Sequence, residues 1–430
     1  MIRFINSNIG LFVLTSFPIF TLIIRGWTSA ILFFCLLISL IYLTKNQSLK
    51  YSCFQEEFFK NNKPLLIIIL AFLVPIISIF LTSLGKLRFN WSDLDGPSRY
   101  FFAIIFLFFL LRCKPNIGKF LTFSITLMPV ITALLINLVE KKGWAAALPR
   151  TTIYFIDPIT FGSLCLSFGL LALVLLSERQ PNKLMYVWYG LSMLCGFYLS
   201  ISSESRTGWL AVPIIFFLLL KVRIGISYFK NLIVSTILIS ITSFALYQSS
   251  DIVKNRFDKV TEEISSYQWD QGNNTTSIGE RISWIRIGWH LMINKPLTGW
   301  ANLDLTSQLE SPEFSKFATP TTRLGVKGGG FHNEFINNAV KYGIPGLLYT
   351  ILLFLGPAIF FFKILKMHST NRYALLGIVY ITTQAVSSLS YQVLDFKFTA
   401  SLYALMIVTL AYTALNDYTL SVVSNKNKDF

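Results

Sequence analysis

Charged residues are scarce in this chain of 430 residues. Asp, Glu, Lys and Arg together make up 13% of it, whereas soluble domains carry about 25%, and histidine occurs 3 times. Hydrophobic residues account for 53%, and the mean hydropathy is +0.59. This composition excludes a soluble globular protein, because too few polar side chains remain to cover a surface that faces water.

The chain also lacks a recognisable signal-peptide cleavage site. Its first apolar run, 9–24, continues through Arg25 into a second run without a small-residue A-x-A pattern. We therefore expect this run to be the first membrane span.

Long apolar runs dominate the rest of the sequence. A helix needs about 20 apolar residues to cross a hydrocarbon core of about 30 Å. The runs predict an all-α polytopic membrane protein with about twelve transmembrane helices, near 9–24, 27–43, 64–82, 99–111, 117–139, 159–176, 184–202, 208–220, 229–247, 343–362, 373–391 and 398–415.

The basic residues predict the orientation, because cytoplasmic loops retain Lys and Arg. With the N-terminus inside, the cytoplasmic segments carry 18 of the 37 Lys and Arg residues and the short external loops carry 9. Both termini are therefore expected in the cytoplasm. Because the net charge of +16 is spread over membrane loops, it indicates anionic lipid or an anionic substrate and no nucleic acid partner.

One long hydrophilic insertion, 248–341, lies outside the membrane in this topology. The sequence thus divides into spans over 1–247, this loop, and spans with a cytoplasmic tail over 342–430. No cysteine falls in an external loop, so neither an external disulfide nor a Cys/His metal cluster is expected.

The residue pattern within the insertion predicts two helices, near 251–267 and 279–294. The second carries an apolar stripe that suits the membrane surface, formed by Ile282, Ile285, Trp289 and Met292. Lys295 and Pro296 end this helix, and the Pro- and Thr-rich stretch that follows is expected to be irregular.

In the segment GVKGGGFHNEFINNAVKYGIPGLL, at 325–348, three glycines precede the start of a predicted helix. The glycines, 328–330, permit backbone conformations that are closed to other residues. His332 follows in the first turn, near the positive end of the helix, where neutral imidazole is favoured over imidazolium. His332 is therefore a candidate general base. YGIPG, at 342–346, is expected to break the helix where the next span begins.

Three outer segments carry basic residues where positive charge is normally selected against. They are KLRFNWSDLDGPSRYF at 86–101, SSESRTGW at 202–209 and GERISWIRIGW at 279–289. An arginine at the membrane boundary is costly without a partner, and its planar guanidinium matches phosphate oxygens. The segments indicate an anionic substrate at the outer face. Arg150 and Arg286 are expected to contact only loops or headgroups.

The ordered motifs SxSRTGW, GERxxWxxxGWxxxxxxPLTGW and FHNxxxxxxxxYGIPGL resemble the O-antigen ligase family of Gram-negative bacteria, within a larger ligase and polymerase superfamily. The resemblance is motif-specific over about 202–348 and weak in the first half. It implies a GT-C-like glycosyltransferase in the bacterial inner membrane with its active site facing the periplasm. It also implies metal-independent, inverting transfer of O-antigen from undecaprenyl pyrophosphate to lipid A–core.

Carried over by the same motifs, Arg206 and Arg281 match two essential arginines of the family, and His332 matches its essential histidine. Lys86, Arg88 and Arg99 resemble further pyrophosphate-binding positions, and which of these three corresponds stays open.

The residue types suit this chemistry independently. Arginines can neutralise a leaving pyrophosphate, and a histidine base typically contributes about 10²- to 10⁴-fold by taking the proton of an acceptor hydroxyl. Asp93-Leu94-Asp95 resembles the D-x-D metal motif of nucleotide-sugar glycosyltransferases. We expect no metal and no cofactor, because a pyrophosphate held by arginines does not require one.

Three other functions share parts of this pattern. An O-antigen polymerase and a protein O-oligosaccharyltransferase use the same donor, so donor motifs do not separate them from a ligase. A transporter of anionic lipid-linked glycan would also be polytopic, but we find no paired halves or matching interrupted spans. The single large loop and the absence of a large C-terminal domain favour the ligase.

Overall fold

The computed structural model describes residues 7–45, 63–87, 89–138, 150–180, 182–224, 251–270, 276–300, 302–394 and 396–426, together with residues 5, 230, 233, 237 and 248. Arg88 and nearly all of the predicted span 229–247 lie outside these residues.

The described residues form sixteen α-helices and no β-strand. In chain order the helices are α1 (Asn8–Thr15), α2 (Phe17–Phe20), α3 (Trp27–Lys45), α4 (Leu66–Gly85), α5 (Ser98–Cys113), α6 (Gly118–Leu138), α7 (Pro158–Leu176), α8 (Lys183–Ser202), α9 (Ala211–Leu219), α10 (Asp251–Ser265), α11 (Ser277–Asn294), α12 (Asn302–Leu309), α13 (Pro320–Gly329), α14 (Glu334–Met367), α15 (Arg372–Ser388) and α16 (Lys397–Lys426).

Seven of the described helices are long and apolar enough to cross a membrane, namely α3, α4, α6, α7, α8, α14 and α16. The predicted spans 99–111, 208–220 and 373–391 coincide with the shorter helices α5, α9 and α15. The predicted span 9–24 is divided between α1 and α2 at Ser16, because Pro18 cannot continue the hydrogen bonding of α1. The predicted class, an all-α polytopic membrane protein, is confirmed.

The membrane helices pack around α16 and α7, which are almost wholly buried. Helix α16 contacts α3, α5 and α15, while α7 contacts α6, α8 and α15. Helix α15 therefore joins the two halves of the bundle. Most residues of helices α3 and α8 are not buried against the rest of the described chain.

A second, smaller hydrophobic core lies within the insertion 248–341. It includes Trp284, Leu291, Phe314 and Phe331, and its members are separate from the cluster that fills the helix bundle. The described part of the insertion thus has a core of its own, whereas the three-part division of the chain stays a prediction.

The two helices predicted in the insertion are confirmed as α10 and α11. The expectation of an irregular stretch after Pro296 is wrong, since this part forms α12, a 3₁₀ turn (Pro312–Lys316) and α13. Thr319 caps α13 by accepting a hydrogen bond from Thr322 N, and Pro320 occupies its first turn. Threonine and proline here start a helix rather than prevent one.

Candidate functional site

The turn that follows α8 carries Arg206. Ser205 Oγ donates to Ile159 O at 3.4 Å, so the turn lies against the first turn of α7. An ion pair of 3.7 Å joins Arg150 to Glu204, and Thr151 N donates to Ser202 O at 3.1 Å. The segment at Arg150 is therefore attached to the same turn.

Arg281 lies in the first two turns of α11 and is half-buried. Thr276 caps this helix by accepting a hydrogen bond from Gly279 N. Burial lowers the pKa of the Arg281 guanidinium, and the positive charges of Arg206 and Arg150 lower it further, while Glu263 opposes them. Arg281 and Arg206 thus lie close enough to repel each other.

His332 lies in the turn between α13 and α14. Its ring stacks on the indole of Trp284, with 4.6 Å between the ring centroids and 20° between the planes. Asn333 is the N-cap of α14, so His332 precedes the helix instead of lying in its first turn as predicted. The His332 backbone has φ of 46°, an uncommon left-handed conformation for a residue other than glycine.

The electrostatic surroundings of His332 favour neutral imidazole. Burial is the largest cause and lowers the His332 pKa, the charge of Arg281 lowers it further, and Asp157 opposes both. A neutral ring nitrogen can accept a proton, as a general base requires. The structure therefore brings together Arg206, Arg281 and His332 from three distant segments.

Asp157 is a neighbour of this site that the sequence analysis does not single out. Its carboxylate caps α7 by accepting from Ile159 N at 2.9 Å and Thr160 N at 3.0 Å. Tyr391 Oη donates to the same carboxylate at 3.1 Å. Arg150, expected to be only a loop or headgroup contact, also belongs to this neighbourhood. An Asp-Pro pair at a helix start resembles any ordinary cap, so no sequence signal separated Asp157 from other caps.

A buried polar network supports the His332 turn. Glu334 accepts from Asn338 Nδ2 at 2.8 Å and from Leu394 N at 2.9 Å, and Asn333 Nδ2 donates to Leu389 O at 3.0 Å. Glu334 is 1% exposed, so its role is to tie the segment after α15 to the start of α14.

Of the predicted glycines, two lie within α13 and Gly330 alone has a positive φ, 65°. A side chain at Gly330 would overlap the buried amide of Gln392, so glycine is required there. The turn that carries His332 is therefore closely packed rather than flexible.

The other predicted phosphate-binding residues lie elsewhere. Lys86 Nζ donates to Lys341 O at 2.7 Å, two turns into α14 and just before its break at Gly343. Arg99 lies in the first turn of α5, where its Nε donates to Asp95 O at 3.2 Å and its guanidinium covers the Phe33 ring at 4.7 Å. Arg88 lies outside the described residues.

Asp95, part of the D-x-D sequence, forms an ion pair with Lys397 at 2.7 Å. Within the described ranges, no group of three or more His, Cys, Asp or Glu residues is placed to hold a metal ion.

The motif KPLTGW, at 295–300, packs on the helix break that the YGIPG sequence predicts. Gly343 departs from helical geometry inside α14, with φ of 68° and ψ of −155°. At this break Ile344 N donates to Pro296 O at 2.7 Å, and Trp300 N donates to Val340 O at 2.8 Å. A Cβ at Gly299 would meet the peptide after Lys341 at 2.5 Å. The insertion is thus fixed to the membrane helix at this point.

Comparisons with known proteins agree with the motifs. Residues 191–351 match the family described as O-antigen ligase. Over 315 residues, which are 71% of this chain and 75% of the other, the sequence is 24% identical to an uncharacterized protein of Haemophilus influenzae. The family match includes the turn, the helix and the capped loop that carry Arg206, Arg281 and His332, so this part of the chain is similar to the O-antigen ligase family.

Proposed function

We propose that this protein is an O-antigen ligase of the bacterial inner membrane. It transfers a glycan from undecaprenyl pyrophosphate to a sugar hydroxyl of lipid A–core at the periplasmic face, in lipopolysaccharide biosynthesis. The observation that carries the proposal is the convergence of two mutually repelling arginines, Arg206 and Arg281, beside a histidine whose surroundings keep it neutral.

The arginines suit the phosphate end of the donor. Within the described part of the chain, no carboxylate forms an ion pair with Arg206 or Arg281. A bound pyrophosphate would supply the missing negative charge and accept charge-assisted hydrogen bonds from both guanidiniums. As the bond to the sugar breaks, the leaving oxygen gains charge that the same groups stabilise.

His332 suits the acceptor end. The acceptor oxygen attacks the anomeric carbon and forms the new glycosidic bond, while the bond from that carbon to the pyrophosphate oxygen breaks. The acceptor proton passes to His332, and the electron pair of the broken bond stays on undecaprenyl pyrophosphate. Direct attack without an enzyme nucleophile inverts the configuration at the anomeric carbon. The step needs no metal, because the arginines supply the positive charge.

The test is reconstitution of the purified protein in lipid with an undecaprenyl pyrophosphate-linked glycan and lipid A–core, in the presence of EDTA. The wild type is expected to shift lipid A–core to higher mass on a gel. His332→Ala is expected to abolish the shift, and His368→Ala, which changes a histidine in the turn between α14 and α15, is the matched control.

Two outcomes would contradict the proposal. Chains that lengthen on the lipid carrier, with lipid A–core unchanged, would identify a polymerase of the same superfamily. A shift that disappears with EDTA and returns with added Mg²⁺ would overturn the metal-independent step.

A further inference from the structure

A cavity of about 410 Å³ opens beside the helix break in α14. Its walls are the end of α4 at Gly85 and Lys86, the end of α11 at Asn294 and Lys295, and the adjoining turn 296–299. Its volume falls in the range of about 300 to 1,000 Å³ that is typical of small-molecule sites. None of the catalytic candidates Arg206, Arg281 and His332 lines it.

Two ammonium groups give the cavity its charge. Lys86 lies over the Tyr342 ring at 5.3 Å and is anchored by the Lys341 carbonyl. Lys295 lies over the Trp300 ring at 3.9 Å. The described residues that line the cavity include no Asp or Glu. Two lysines held on aromatic rings at one cavity are suited to a phosphate group, which lysine binds as a point charge.

Exposed apolar residues adjoin the cavity. Leu297 lines it and is 72% exposed, while Leu84 and Ile293, each next in sequence to a lining residue, are 68% and 56% exposed. Ile344 and Leu348 are also exposed on α14, just after its break. The cavity lies where α4 leaves its membrane segment and where α14 resumes after its break. Large exposed apolar side chains at the end of a candidate membrane span are suited to acyl chains, so the ligand that fits is a phosphate attached to a lipid.

The position of the cavity distinguishes this phosphate from the donor pyrophosphate. From Glu334 to Lys341 the helix rises roughly 10 Å, at about 1.5 Å per residue. Lys86, beside Lys341, is also absent from the charges that shift the pKa of Arg281 and of His332. The cavity is thus separate from the arginine site, and a phosphate bound there is best supplied by a second lipid.

We propose that this cavity binds a headgroup phosphate of the glycolipid acceptor, while the acceptor's sugars extend along α14 toward His332. The assignment rests on the proposed ligase function. In this assignment Lys86 and Lys295 bind the acceptor lipid and do not bind the donor.

Binding of lipid A tests the assignment without requiring transfer. The probes are lipid A and the same lipid after removal of its phosphates, each titrated into full-length protein in phosphatidylcholine nanodiscs. The wild type is expected to bind lipid A about tenfold more tightly than the dephosphorylated form. Lys295→Gln and Lys86→Gln are expected to lose this preference, Lys295→Arg to keep it, and Lys316→Gln, an exposed lysine of the same insertion, to leave it unchanged.

Two results would overturn the assignment. The first is a full preference for phosphorylated lipid A in the Lys86→Gln, Lys295→Gln double variant. The second is equal displacement of lipid A by phosphatidylglycerol, which would make the cavity a site for bulk phospholipid. If binding behaves as expected but no glycan reaches lipid A–core, the ligase proposal fails and the phosphate site stands.

Discussion

Arg281 and Arg286 lie on the same helix but differ in the groups that surround their guanidinium groups. Arg286, on the same helix, donates to Tyr267 Oη at 3.1 Å and Trp269 O at 2.8 Å, whereas Arg281 faces Arg206. Arg281→Lys keeps the charge but loses the paired donors that match phosphate, so we expect the transfer rate to fall about tenfold or more. Arg286→Lys is the control and should stay within a factor of about two. Equal losses in initial rates of reconstituted transfer would contradict a special role for Arg281.

The protonation of His332 predicts the pH dependence of the reaction. A base must be neutral, so kcat/KM falls as the pH drops through the His332 pKa. Because burial and Arg281 lower this pKa, the acid limb should lie below the usual histidine value of about 6.5. Asp157→Asn removes the opposing negative charge and keeps a capping side chain, so it should move the limb to still lower pH.

The substitution Arg281→Gln is expected to move the acid limb of kcat/KM in the direction opposite to that of Asp157→Asn. It removes a positive charge beside His332, so the acid limb of the residual activity should move to higher pH. The measurement is the pH profile of kcat/KM for the wild type and both variants. Movement of the two limbs in the same direction would show that His332 does not set the limb.

At the scale of elements, the break in α14 is the joint between the insertion and the membrane bundle. Gly343→Ala places a side chain at a positive φ and against the Pro296 carbonyl oxygen. The strain should cost roughly 1–3 kcal/mol of folding free energy and lower the melting temperature in detergent.

Gly190→Ala is the matched control for the break, because α8 leaves open space around Gly190. Alanine there should leave the melting temperature unchanged or raise it, since alanine is favoured over glycine in a helix interior by up to about 1 kcal/mol. Similar melting temperatures for the two variants would mean that the contact with Pro296 does not stabilise the fold.

Most helices can be predicted from the sequence, because long apolar runs and capping residues act locally. The orientation of α11 cannot be predicted in this way. Its predicted stripe is divided in the structure, where Ile285 and Trp289 are exposed but Met292 is 8% exposed. Helix α11 packs against both α13 and α14, so two sides of it are covered. Helical spacing alone does not tell which stripe faces protein and which faces lipid.

The sequence marks candidate site residues where they belong to a motif. Arg206, Arg281 and His332 each belong to a recognisable motif, whereas Arg150 and Asp157 reach the same neighbourhood through tertiary packing. Lys86 was predicted to bind phosphate because it is a basic residue of an outer loop. Its charge does not determine where it lies in the fold, because the contact between Lys86 and Lys341 depends on how α4 packs against α14.

For the whole molecule, the positive-inside pattern makes a prediction about sidedness. With the native cysteines replaced, Ser315→Cys in the insertion should react with a membrane-impermeant maleimide in spheroplasts. Arg179→Cys, between α7 and α8, should react only after permeabilisation. Both positions are exposed in the fold, so access to the reagent depends on the membrane alone. Labelling of Arg179→Cys in intact spheroplasts would contradict the predicted orientation.

The crowding of Arg206, Arg281 and Arg150 has a kinetic consequence. Transfer leaves undecaprenyl pyrophosphate with one more ionisable oxygen than it had in the donor. A cluster of like charges should hold this product more tightly than the donor, so its departure into the bilayer is expected to limit turnover. Added undecaprenyl pyrophosphate should then inhibit in competition with the donor, and a phosphatase that consumes the freed carrier should sustain the steady-state rate.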